Sequence, residues 1–362
     1  MSEFIHGNVQ KLLIRAVNWV GDAVMTTPAI GNIREHFPKA RITLLANPLV
    51  TQLFSPHAWI DQVITFDRNG AHKGIRGRVR LAQALRKKSF DAVIILPNSF
   101  DSALTPWLAR IPVRIGKNSD GRGFMLTDRY NSGKESAIIH EVDYYQNMAQ
   151  HFGISGQIHE PRLFTSQQED LNAAGQLASH GISAKELLIG INPGAAFGSA
   201  KRWYPDRFAE VARRLAVEWS ARIVIFGGAG EIEIAADIER RLVGNCLNLA
   251  GKTTVRELMA LIKRCNFFVT NDSGPMHIAA AFGVPVAAIF GATDHTTTSP
   301  YTDKAVIIRK EIACAPCKLR ECPTNHECMK AINADDVVEA SIRLMAMINA
   351  SDPNIIQERY KS

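Results

Sequence analysis

Residues 269–277 read Val-Thr-Asn-Asp-Ser-Gly-Pro-Met-His and follow a pair of phenylalanines. This pattern predicts a buried strand that ends in polar residues and passes directly into a helix. Ser273 suits the N-cap of that helix, and Pro275 suits its first turn, where a missing N–H is not needed. The free amides of Ser273 and Gly274 would then point along the helix dipole at an anion.

The same alternation of strand and helix extends on both sides of residues 269–277. In the second half of the chain we predict strands at Leu187–Asn192, Arg222–Phe226, Cys246–Leu249, Phe267–Thr270 and Val286–Phe290. Segments with helical periodicity lie between them, at Pro205–Trp219, Glu231–Leu242, Val255–Cys265 and Ser273–Phe282. Strands separated by helix-length segments indicate a parallel sheet covered by helices on both faces.

The first half of the chain has the same organisation. Its predicted strands are Lys11–Arg15, Arg41–Ala46, Gln62–Phe66, Asp91–Leu96 and Val113–Ile115. Its predicted helices are Ala23–His36, Ile75–Lys88, Ser102–Leu108 and Ala137–His151. The sequence therefore predicts an α/β protein with two Rossmann-like, doubly wound domains, which face a central cleft at the carboxyl ends of their strands.

A polar stretch with Gly and Pro, around Gly153–Gln168, interrupts the alternation and predicts the domain boundary. We expect one domain over residues 1–165, a second over residues 166–345 and a C-terminal tail over residues 346–362. A last helix, Ala334–Ala350, is expected to pack back across the hinge.

The composition is that of a folded protein with substantial cores: 46% of its 362 residues are hydrophobic and 21% are charged. No apolar run reaches the roughly 18–20 residues that a membrane-spanning helix needs. The polar N-terminal residues do not resemble a signal peptide, so we expect a cytoplasmic protein.

Positive charge is concentrated between Asp67 and Lys88, where eight basic residues face one acid. Such a stretch suits phosphates, anionic sugars, a membrane surface or nucleic acid, and it also suits an ordinary solvated helix face. Nucleic acid is the weakest of these hypotheses, because the chain has no recognised nucleic-acid module and no aromatic residues within the basic stretch.

Two predicted strand ends carry candidate catalytic residues. Asn18–Ala23 follows the first strand, and Gly21 in it allows a tight turn before Asp22. Asp22 could accept a proton from an acceptor hydroxyl, or it could be an N-cap. Pro193–Trp203 follows the first strand of the second half, and its small residues and Lys201 suit a diphosphate.

Other nucleotide-binding motifs are missing from the sequence. The spacing of Gly and Lys in Pro193–Trp203 is not that of a Walker motif, and no Gly-x-Gly-x-x-Gly follows a strand. Glu231 and Glu233 follow the second strand of the second half and are candidates to hold a ribose, although surface helix acids look the same. His277, one turn into its helix, either adds a hydrogen bond to the anion or is a satisfied helix histidine.

The six cysteines divide into two groups. Cys246 and Cys265 have the setting of core thiols, whereas four lie close together near the C-terminus: Cys314, Cys317, Cys322 and Cys328. Their short spacing suits a structural zinc site, and reduced thiols are the alternative. Disulfides are disfavoured in a reducing cytoplasm.

Five motifs, in this order along Lys11 to about Met345, resemble those of the lipopolysaccharide heptosyltransferases, glycosyltransferase family 9. They are Asn18–Asp22, Leu96–Phe100, Asn192–Ala195, Lys201–Trp203 and Thr270–His277. The Pro97-Asn98-Ser99-Phe100 segment favours the type II members over type I.

The resemblance implies a GT-B fold, with the acceptor on the N-terminal domain and the nucleotide sugar on the C-terminal domain. It implies an inverting transfer, without an essential metal or cofactor, from ADP-L-glycero-D-manno-heptose to the first heptose of the heptosyl-Kdo2-lipid A core. Peripheral contact with the inner face of the inner membrane would follow, because that acceptor is a lipid. No nucleic-acid partner is implied.

Matching motif positions implies roles for individual residues. Asp22 would be the general base and Lys201 the contact to the leaving diphosphate. Donor-binding residues would be Gly194, Ala195, Glu231, Glu233, Asp272, Ser273, Gly274 and His277. Acceptor-binding residues would be Trp19, Gly21, Asn98, Ser99, Arg76 and Arg78.

Two other hypotheses keep the fold. One is a family member that adds a different heptose or a hexosamine, and the other is a non-catalytic nucleotide-binding scaffold. The presence of Asp22, Lys201 and Ser273 together argues against the scaffold.

Overall fold

The computed structural model describes residues 9–133, 138–244 and 246–351. The chain divides between Phe164 and Thr165 into two compact units. Each unit has its own parallel sheet and its own apolar core.

The sheet of the first unit has the order β3-β2-β1-β4-β5-β6, and every pairing in it is parallel. Its strands are β1 (Lys11–Arg15), β2 (Arg41–Ala46), β3 (Gln62–Thr65), β4 (Ala92–Ile95), β5 (Val113–Lys117) and β6 (Asp128–Tyr130). Its helices are α1 (Val20–Met25), α2 (Thr27–His36), α3 (Pro48–Leu53), α4 (Gly74–Lys88), α5 (Phe100–Leu108) and α6 (Glu141–His151). The central strands β1 and β4 are almost entirely buried, because helices cover both faces of the sheet.

The second unit repeats this design with the order β12-β11-β10-β7-β8-β9, again all parallel. Its strands are β7 (Leu188–Asn192), β8 (Arg222–Ile225), β9 (Cys246–Asn248), β10 (Phe267–Asn271), β11 (Val286–Ile289) and β12 (Ala305–Ile308). Its helices are α7 (Gln167–Ser179), α8 (Pro205–Trp219), α9 (Ile232–Leu242), α10 (Val255–Lys263), α11 (Gly274–Ala281), α12 (His295–Thr298), α13 (Glu327–Lys330) and α14 (Ala334–Ser351).

The predicted helix Ala23–His36 is two helices, α1 and α2, which join at Thr26. The break has a local cause, because Pro28 has no N–H to donate to the carbonyl of Val24. The hydroxyl of Thr27 donates a hydrogen bond to that carbonyl instead, at 2.7 Å. The first helix, α1, begins at Val20, earlier than predicted, directly after the loop that follows β1.

Several short elements were missed in the sequence. They include β6, β12 and α3, which are three, four and six residues long. The helix α7 was also missed because it begins inside the polar stretch assigned to the boundary. Its signature is a capping box in which Ser166 and Glu169 bond each other's backbone, and Arg256 pairs with the same Glu169 carboxylate at 2.5 Å. That pairing lowers the pKa of Glu169 to about 2.

The C-terminal helix α14 packs against α8, β11 and β12 of the second unit. It continues to Ser351, so the residues predicted as a tail from 346 onward are helical up to that point. Residues 352–362 lie outside the described ranges.

Candidate functional site

Two neighbouring strands of the second unit, β7 and β10, end at the same edge of the sheet. Their parallel register pairs Thr270 with Asn192, the last residue of β7. The sequence predicts that two loops bind an anion: Pro193–Trp203, and the loop between β10 and α11. They therefore start side by side. This is the edge at which doubly wound sheets bind their ligands.

Buried amide side chains join these two loops. Asn271 accepts a hydrogen bond from the Trp203 backbone N–H at 3.1 Å and donates to the Pro193 carbonyl at 2.7 Å. Asn192 donates to the hydroxyl of Ser273 at 3.1 Å. Because these groups are buried, each bond is costly to break, and the relative position of the loops is well fixed.

Lys201 and Asp272 form an ion pair at the centre of this arrangement, with 2.6 Å between Nζ and Oδ2. The side chains are only 13% and 5% exposed, so the pair is largely withdrawn from water. The hydroxyl of Thr293, from the loop after β11, donates to the same Asp272 oxygen. Phe197 places its ring 5.0 Å from the Lys201 ammonium. Sequence reasoning assigned no role to Thr293 or Phe197, because neither residue belongs to a recognised motif.

The helix α11 begins as predicted, with Ser273 at the N-cap and Pro275 in its first turn. The Ser273 side chain makes no capping bond to the helix. Its hydroxyl is instead bonded by Asn192 and lies 3.2 Å from the hydroxyl of Thr270. This side chain therefore leaves the amides that open the helix, including that of Gly274, uncapped. His277 is buried in the same helix.

Gly194 and Glu231 are in close contact. A Cβ on Gly194 would lie 1.9 Å from the Glu231 carboxyl group, so any larger residue would have to displace that side chain. Glu231 also accepts a hydrogen bond from the Gly228 N–H at 2.7 Å. Ala195, next in the loop, is buried, whereas Glu233 is exposed at the start of α9. The sequence could not distinguish Glu231 from Glu233. In the structure Glu231 contacts the loop after β7, whereas Glu233 faces solvent.

The segment with the four clustered cysteines packs against the Lys201 loop. A Cβ on Gly198 would lie 2.1 Å from the backbone carbonyl oxygen of Arg320, and the Ala200 N–H donates to that carbonyl at 3.0 Å. His326 Nε2 lies 2.9 Å from the carbonyl oxygen of Ala200. This segment therefore supports the loop that carries Lys201.

The clustered cysteines are free thiols. Within residues 9–133, 138–244 and 246–351, no group of three or more His, Cys, Asp or Glu side chains is arranged to hold a metal ion. The structure of these residues therefore does not support the predicted zinc site. It fits the alternative, that the four clustered cysteines are reduced thiols. Burial, and then the neighbouring Cys314, raise the pKa of the Cys328 thiol.

In the first unit, Asp22 lies in the first turn of α1. The N-cap of this helix is Trp19, so the alternative that Asp22 is a cap is wrong. Trp19 is 46% exposed, and Gly21 stands between it and Asp22. The loop leaves β1 at the carboxyl edge of its sheet, as the ligand-binding edge of a doubly wound domain requires.

A second carboxylate, Glu141, lies at the start of α6, which packs against α1. Burial raises the pKa of Glu141 to about 7, the charge of Asp22 adds to that rise, and Lys117 opposes it. Burial, together with the charges of Glu141 and Asp22, also holds the pKa of Tyr145 well above its usual value. Sequence reasoning missed Glu141, because only the packing of α6 on α1 brings it near Asp22. It also missed Lys117, the last residue of β5, whose charge acts on Glu141.

The loop after β4 carries Asn98 and Ser99, and a buried arginine fixes it. Arg122 donates to the Pro97 carbonyl at 2.5 Å and to the Ser99 carbonyl at 3.1 Å. Burial lowers the pKa of this arginine to about 10. The Asn98 side chain accepts a hydrogen bond from the hydroxyl of Tyr144, which lies on α6, at 3.0 Å.

The basic stretch is mostly the helix α4. Arg78 is half-buried and pairs with Asp101 at the start of α5, and Arg68 lies 3.9 Å from the same carboxylate. Arg76 is exposed on the helix. Of the two arginines assigned to the acceptor, Arg78 thus forms an ion pair with Asp101, and Arg76 faces solvent.

The structure brings the predicted site residues together in two sets, one at each sheet. Asp22, Trp19 and Gly21 belong to the first unit with Asn98 and Ser99. Lys201, Asp272, Ser273, Gly274, Gly194 and Glu231 belong to the second unit. No helix among the described residues is long and apolar enough to cross a membrane.

Comparison with known proteins identifies the family. Residues 78–327 match the model of glycosyltransferase family 9 (heptosyltransferase), which is more than half of the chain. The chain is 33% identical over 310 residues to lipopolysaccharide heptosyltransferase 2 of Escherichia coli (strain K12), which covers 83% of this chain and 88% of that protein. It is 32% identical over 341 residues to lipooligosaccharide heptosyltransferase 2 of a Campylobacter jejuni serotype O:2 strain, with 92% and 98% coverage.

Solved structures agree. The structure of E. coli ADP-heptose lps heptosyltransferase II matches with a TM-score of 0.79 at 30% identity, covering 94% of this chain and all of that one. A glycosyl transferase family 9 protein from Veillonella parvula matches with a TM-score of 0.85 at 25% identity, covering 93% and 98%. These matches confirm the predicted GT-B fold class. The chain therefore belongs to glycosyltransferase family 9, the heptosyltransferases.

Proposed function

We propose that this enzyme transfers L-glycero-D-manno-heptose from ADP-heptose to the first heptose of the heptosyl-Kdo2-lipid A inner core, with inversion at the transferred sugar. The observation that carries the proposal is the buried Lys201–Asp272 pair beside the opening of α11. Its support is the similarity to type II heptosyltransferases over more than four-fifths of the chain.

The donor would bind to the second unit. An ammonium group has three N–H donors, and Asp272 uses one of those of Lys201, so the others remain for the diphosphate oxygens. The amides of Ser273 and Gly274 add a second source of positive potential, because the helix dipole points at the same anion. Both stabilise the charge that develops on ADP as it leaves.

Other residues around that loop would hold the nucleoside and the sugar. Gly194 and Ala195 keep the loop free of bulk, so that backbone can approach the ligand. Glu231 is the better candidate for a ribose hydroxyl, since its carboxylate lies against Gly194, whereas Glu233 is exposed elsewhere on α9. His277 is assigned to the donor loop by its position in α11.

The acceptor would bind to the first unit. Asp22 would take the proton from the attacking hydroxyl as the new glycosidic bond forms and the bond to ADP breaks. Trp19 and Gly21 border it in the same loop, and Asn98 and Ser99 contribute from the loop after β4. Arg76 and Arg78 are assigned to the anionic part of the acceptor.

The transfer as written balances without a cofactor. Asp22 receives the proton, ADP receives the electron pair of the broken bond, and Lys201 with the α11 amides supplies the electrostatic compensation that some transferases obtain from a divalent ion. We therefore propose a metal-independent reaction. We also propose that the enzyme works in the cytoplasm at the inner face of the inner membrane, because its acceptor is a membrane lipid.

The direct test is to incubate the purified protein with ADP-heptose and two defined acceptors, heptosyl-Kdo2-lipid A and Kdo2-lipid A. We expect a mass gain of one heptose on the first acceptor alone, unchanged when a chelator is present. A product only from Kdo2-lipid A, or only from another sugar nucleotide, would assign the enzyme to a different step. Absence of any product with every donor would favour the scaffold.

A further inference from the structure

A groove on the first unit, between α4 and α5, combines exposed apolar and basic side chains. It encloses about 590 Å³. Its apolar lining includes Val79, Trp107 and Leu108, and its basic lining consists of Arg86, Arg110 and Arg114. None of the described residues that line it is acidic. We refer to it as the arginine-rimmed groove.

The apolar residues of the groove are unusually exposed. Val79 and Trp107 are each 40% exposed and Leu108 is 36% exposed. Next to them Phe124, 63% exposed, has its ring centroid 6.1 Å from that of Trp107. A contiguous exposed patch with aromatic residues indicates a binding surface, since scattered single residues would carry no such meaning.

The charges around the patch are positive and largely without partners. Arg86 and Arg110 are exposed and, within the part of the chain that the structure describes, form no ion pair with a carboxylate. Arg114 donates to backbone carbonyls, among them that of Met125 at 2.6 Å, so its charge is held in place without being neutralised. The helix α4 adds further basic residues and contains no acid.

This combination selects one occupant. A second copy docked groove to groove would bring the same positive charges against each other, and a small soluble anion would not cover the apolar patch. An anionic bilayer satisfies both, because its phosphates attract arginines and its interfacial region accommodates Trp and aliphatic side chains. We propose that the arginine-rimmed groove is the surface by which this enzyme docks on anionic phospholipid membranes.

The position of α4 fits that role. The helix runs from the carboxyl end of β3 to the amino end of β4, and the groove lies along its second half and the end of α5, toward the amino edge of the sheet. The basic residues of its first half, Arg76, Arg78 and Arg80, continue toward the edge where Asp22 lies. A membrane bound along α4 would therefore reach the acceptor edge of the sheet. That the membrane presents the acceptor to this edge rests on the proposed function. The membrane docking itself rests on the residues of the groove.

The test is co-sedimentation of the full chain with vesicles of phosphatidylcholine, with and without phosphatidylglycerol, in the absence of donor and acceptor. We expect binding to the anionic vesicles only, and less of it at high salt, where exposed charges are screened. Arg86→Glu/Arg110→Glu should lower the partition coefficient by at least about tenfold. Trp107→Gln should lower it severalfold without a change in net charge.

Matched controls come from the second unit. Lys185→Glu/Lys252→Glu reverses two exposed charges, and Val217→Gln changes an exposed apolar residue, all outside the groove. They should bind vesicles as the unchanged protein does. The groove variants should keep their thermal midpoint and ADP affinity, which excludes misfolding as the cause of the loss.

Several results would overturn the inference. They are equal binding to neutral and anionic vesicles, groove variants that bind as well as the controls, or binding of an RNA oligonucleotide in place of vesicles. Transfer to a detergent-dispersed acceptor separates this inference from the proposed function. If vesicles bind through the groove and no heptose is transferred, the docking surface stands and the proposed function fails.

Discussion

At the scale of single residues, Asp22 and the Lys201–Asp272 pair are the groups on which the proposed chemistry depends. Asp22 lies in the first turn of the helix after β1, Asp272 directly follows β10, and Lys201 lies in the longer loop between β7 and α8. Asp22 neighbours a second carboxylate, Glu141, whereas Lys201 is held by its own counter-ion. Substitutions at these positions therefore have different expected effects on stability and turnover.

Asp22→Asn should lower turnover by about 10²–10⁴, the usual contribution of a general base. ADP affinity should persist, since this residue belongs to the other unit from Lys201. Asp22 lies in the first turn of α1, where the interaction of a carboxylate with the helix dipole contributes about 0.3–1 kcal/mol, so the Asn variant should lose stability of that order. Steady-state kinetics and thermal unfolding measure both quantities, and near-normal turnover of the Asn variant would remove Asp22 as the base.

Lys201→Ala should lower kcat/KM for the donor by about 10–150-fold, which corresponds to about 1.5–3 kcal/mol for a charge-assisted hydrogen bond. The single change also leaves the buried Asp272 carboxylate without its cation and should lower stability. Lys201→Ala/Asp272→Asn should recover much of that stability without recovering kcat/KM. If the double variant regained activity as well, Lys201 would be structural and not a diphosphate contact.

Glu141 predicts a pH dependence. Its pKa is about 7 in the folded protein and is taken as 4.5 without the fold, so the unfolded chain loses this proton first as pH rises. This residue therefore makes the fold less stable between about pH 4.5 and 7, and the full loss is present above pH 7. Glu141→Gln should raise the free energy of unfolding at pH 8 by about 1–3 kcal/mol and flatten its pH profile.

Chemical denaturation across that pH range measures the effect. Glu218→Gln, a change of an exposed acid on α8, is the matched control and should leave the profile unchanged. A Glu141 variant with the pH profile of the parent protein would show that this carboxyl is ionised in the fold like an ordinary surface acid.

At the scale of elements, the Lys201 loop is shaped by how closely the cysteine-containing segment approaches it. The Ala200 N–H and the Arg320 carbonyl bond at 3.0 Å, and His326 holds the carbonyl of Ala200 from the other side. Gly198 lies so close to Arg320 that no side chain fits between them. The geometry of this loop is therefore a property of two segments that are far apart in sequence.

Gly198→Ala should accordingly cost about 1–3 kcal/mol of stability, because the clash is with backbone and cannot be relieved by a rotamer change. Movement of the loop should also weaken ADP binding. Gly230→Ala is the control, since a Cβ there meets nothing within 4 Å. Thermal unfolding and ADP calorimetry on both variants check the prediction, which equal behaviour of the two would contradict.

At the scale of the whole molecule, the chain has two units with separate sheets and cores. In the proposed mechanism the first unit binds the acceptor and the second binds the donor. Each core is built from buried parallel strands and the helices that cover them, so each unit can retain its own ligand-binding edge. A ligand bound by one unit stabilises that unit by mass action, whatever the other unit does.

ADP should therefore raise the unfolding temperature of the second unit. At a concentration one hundred times its Kd the gain is about 2.7 kcal/mol. UDP and GDP should give smaller shifts at the same concentration. Differential scanning calorimetry with the three nucleotides is the measurement, and a larger shift with UDP or GDP would contradict the assignment of ADP-heptose as donor.

The alternation of apolar runs and amphipathic segments was sufficient for the sequence to predict both parallel sheets, with central strands such as β1 and β2 at the observed bounds. The family resemblance assigned Lys201, Asp272 and Ser273 to one donor site, and they lie together because the carboxyl ends of parallel strands share one edge. Short half-exposed elements such as β6 and β12 were missed, since three or four residues carry too little periodicity.

The tertiary structure alone decided what surrounds those motifs. Glu141 is near Asp22, and Glu231 against Gly194, only because helices pack and strands align in particular registers. The arginine-rimmed groove likewise exists because α4 and α5 lie side by side and expose Trp107 next to Arg86. The physical reason is that periodicity records which face of an element is buried, whereas proximity between distant segments is set by packing, which no local pattern encodes.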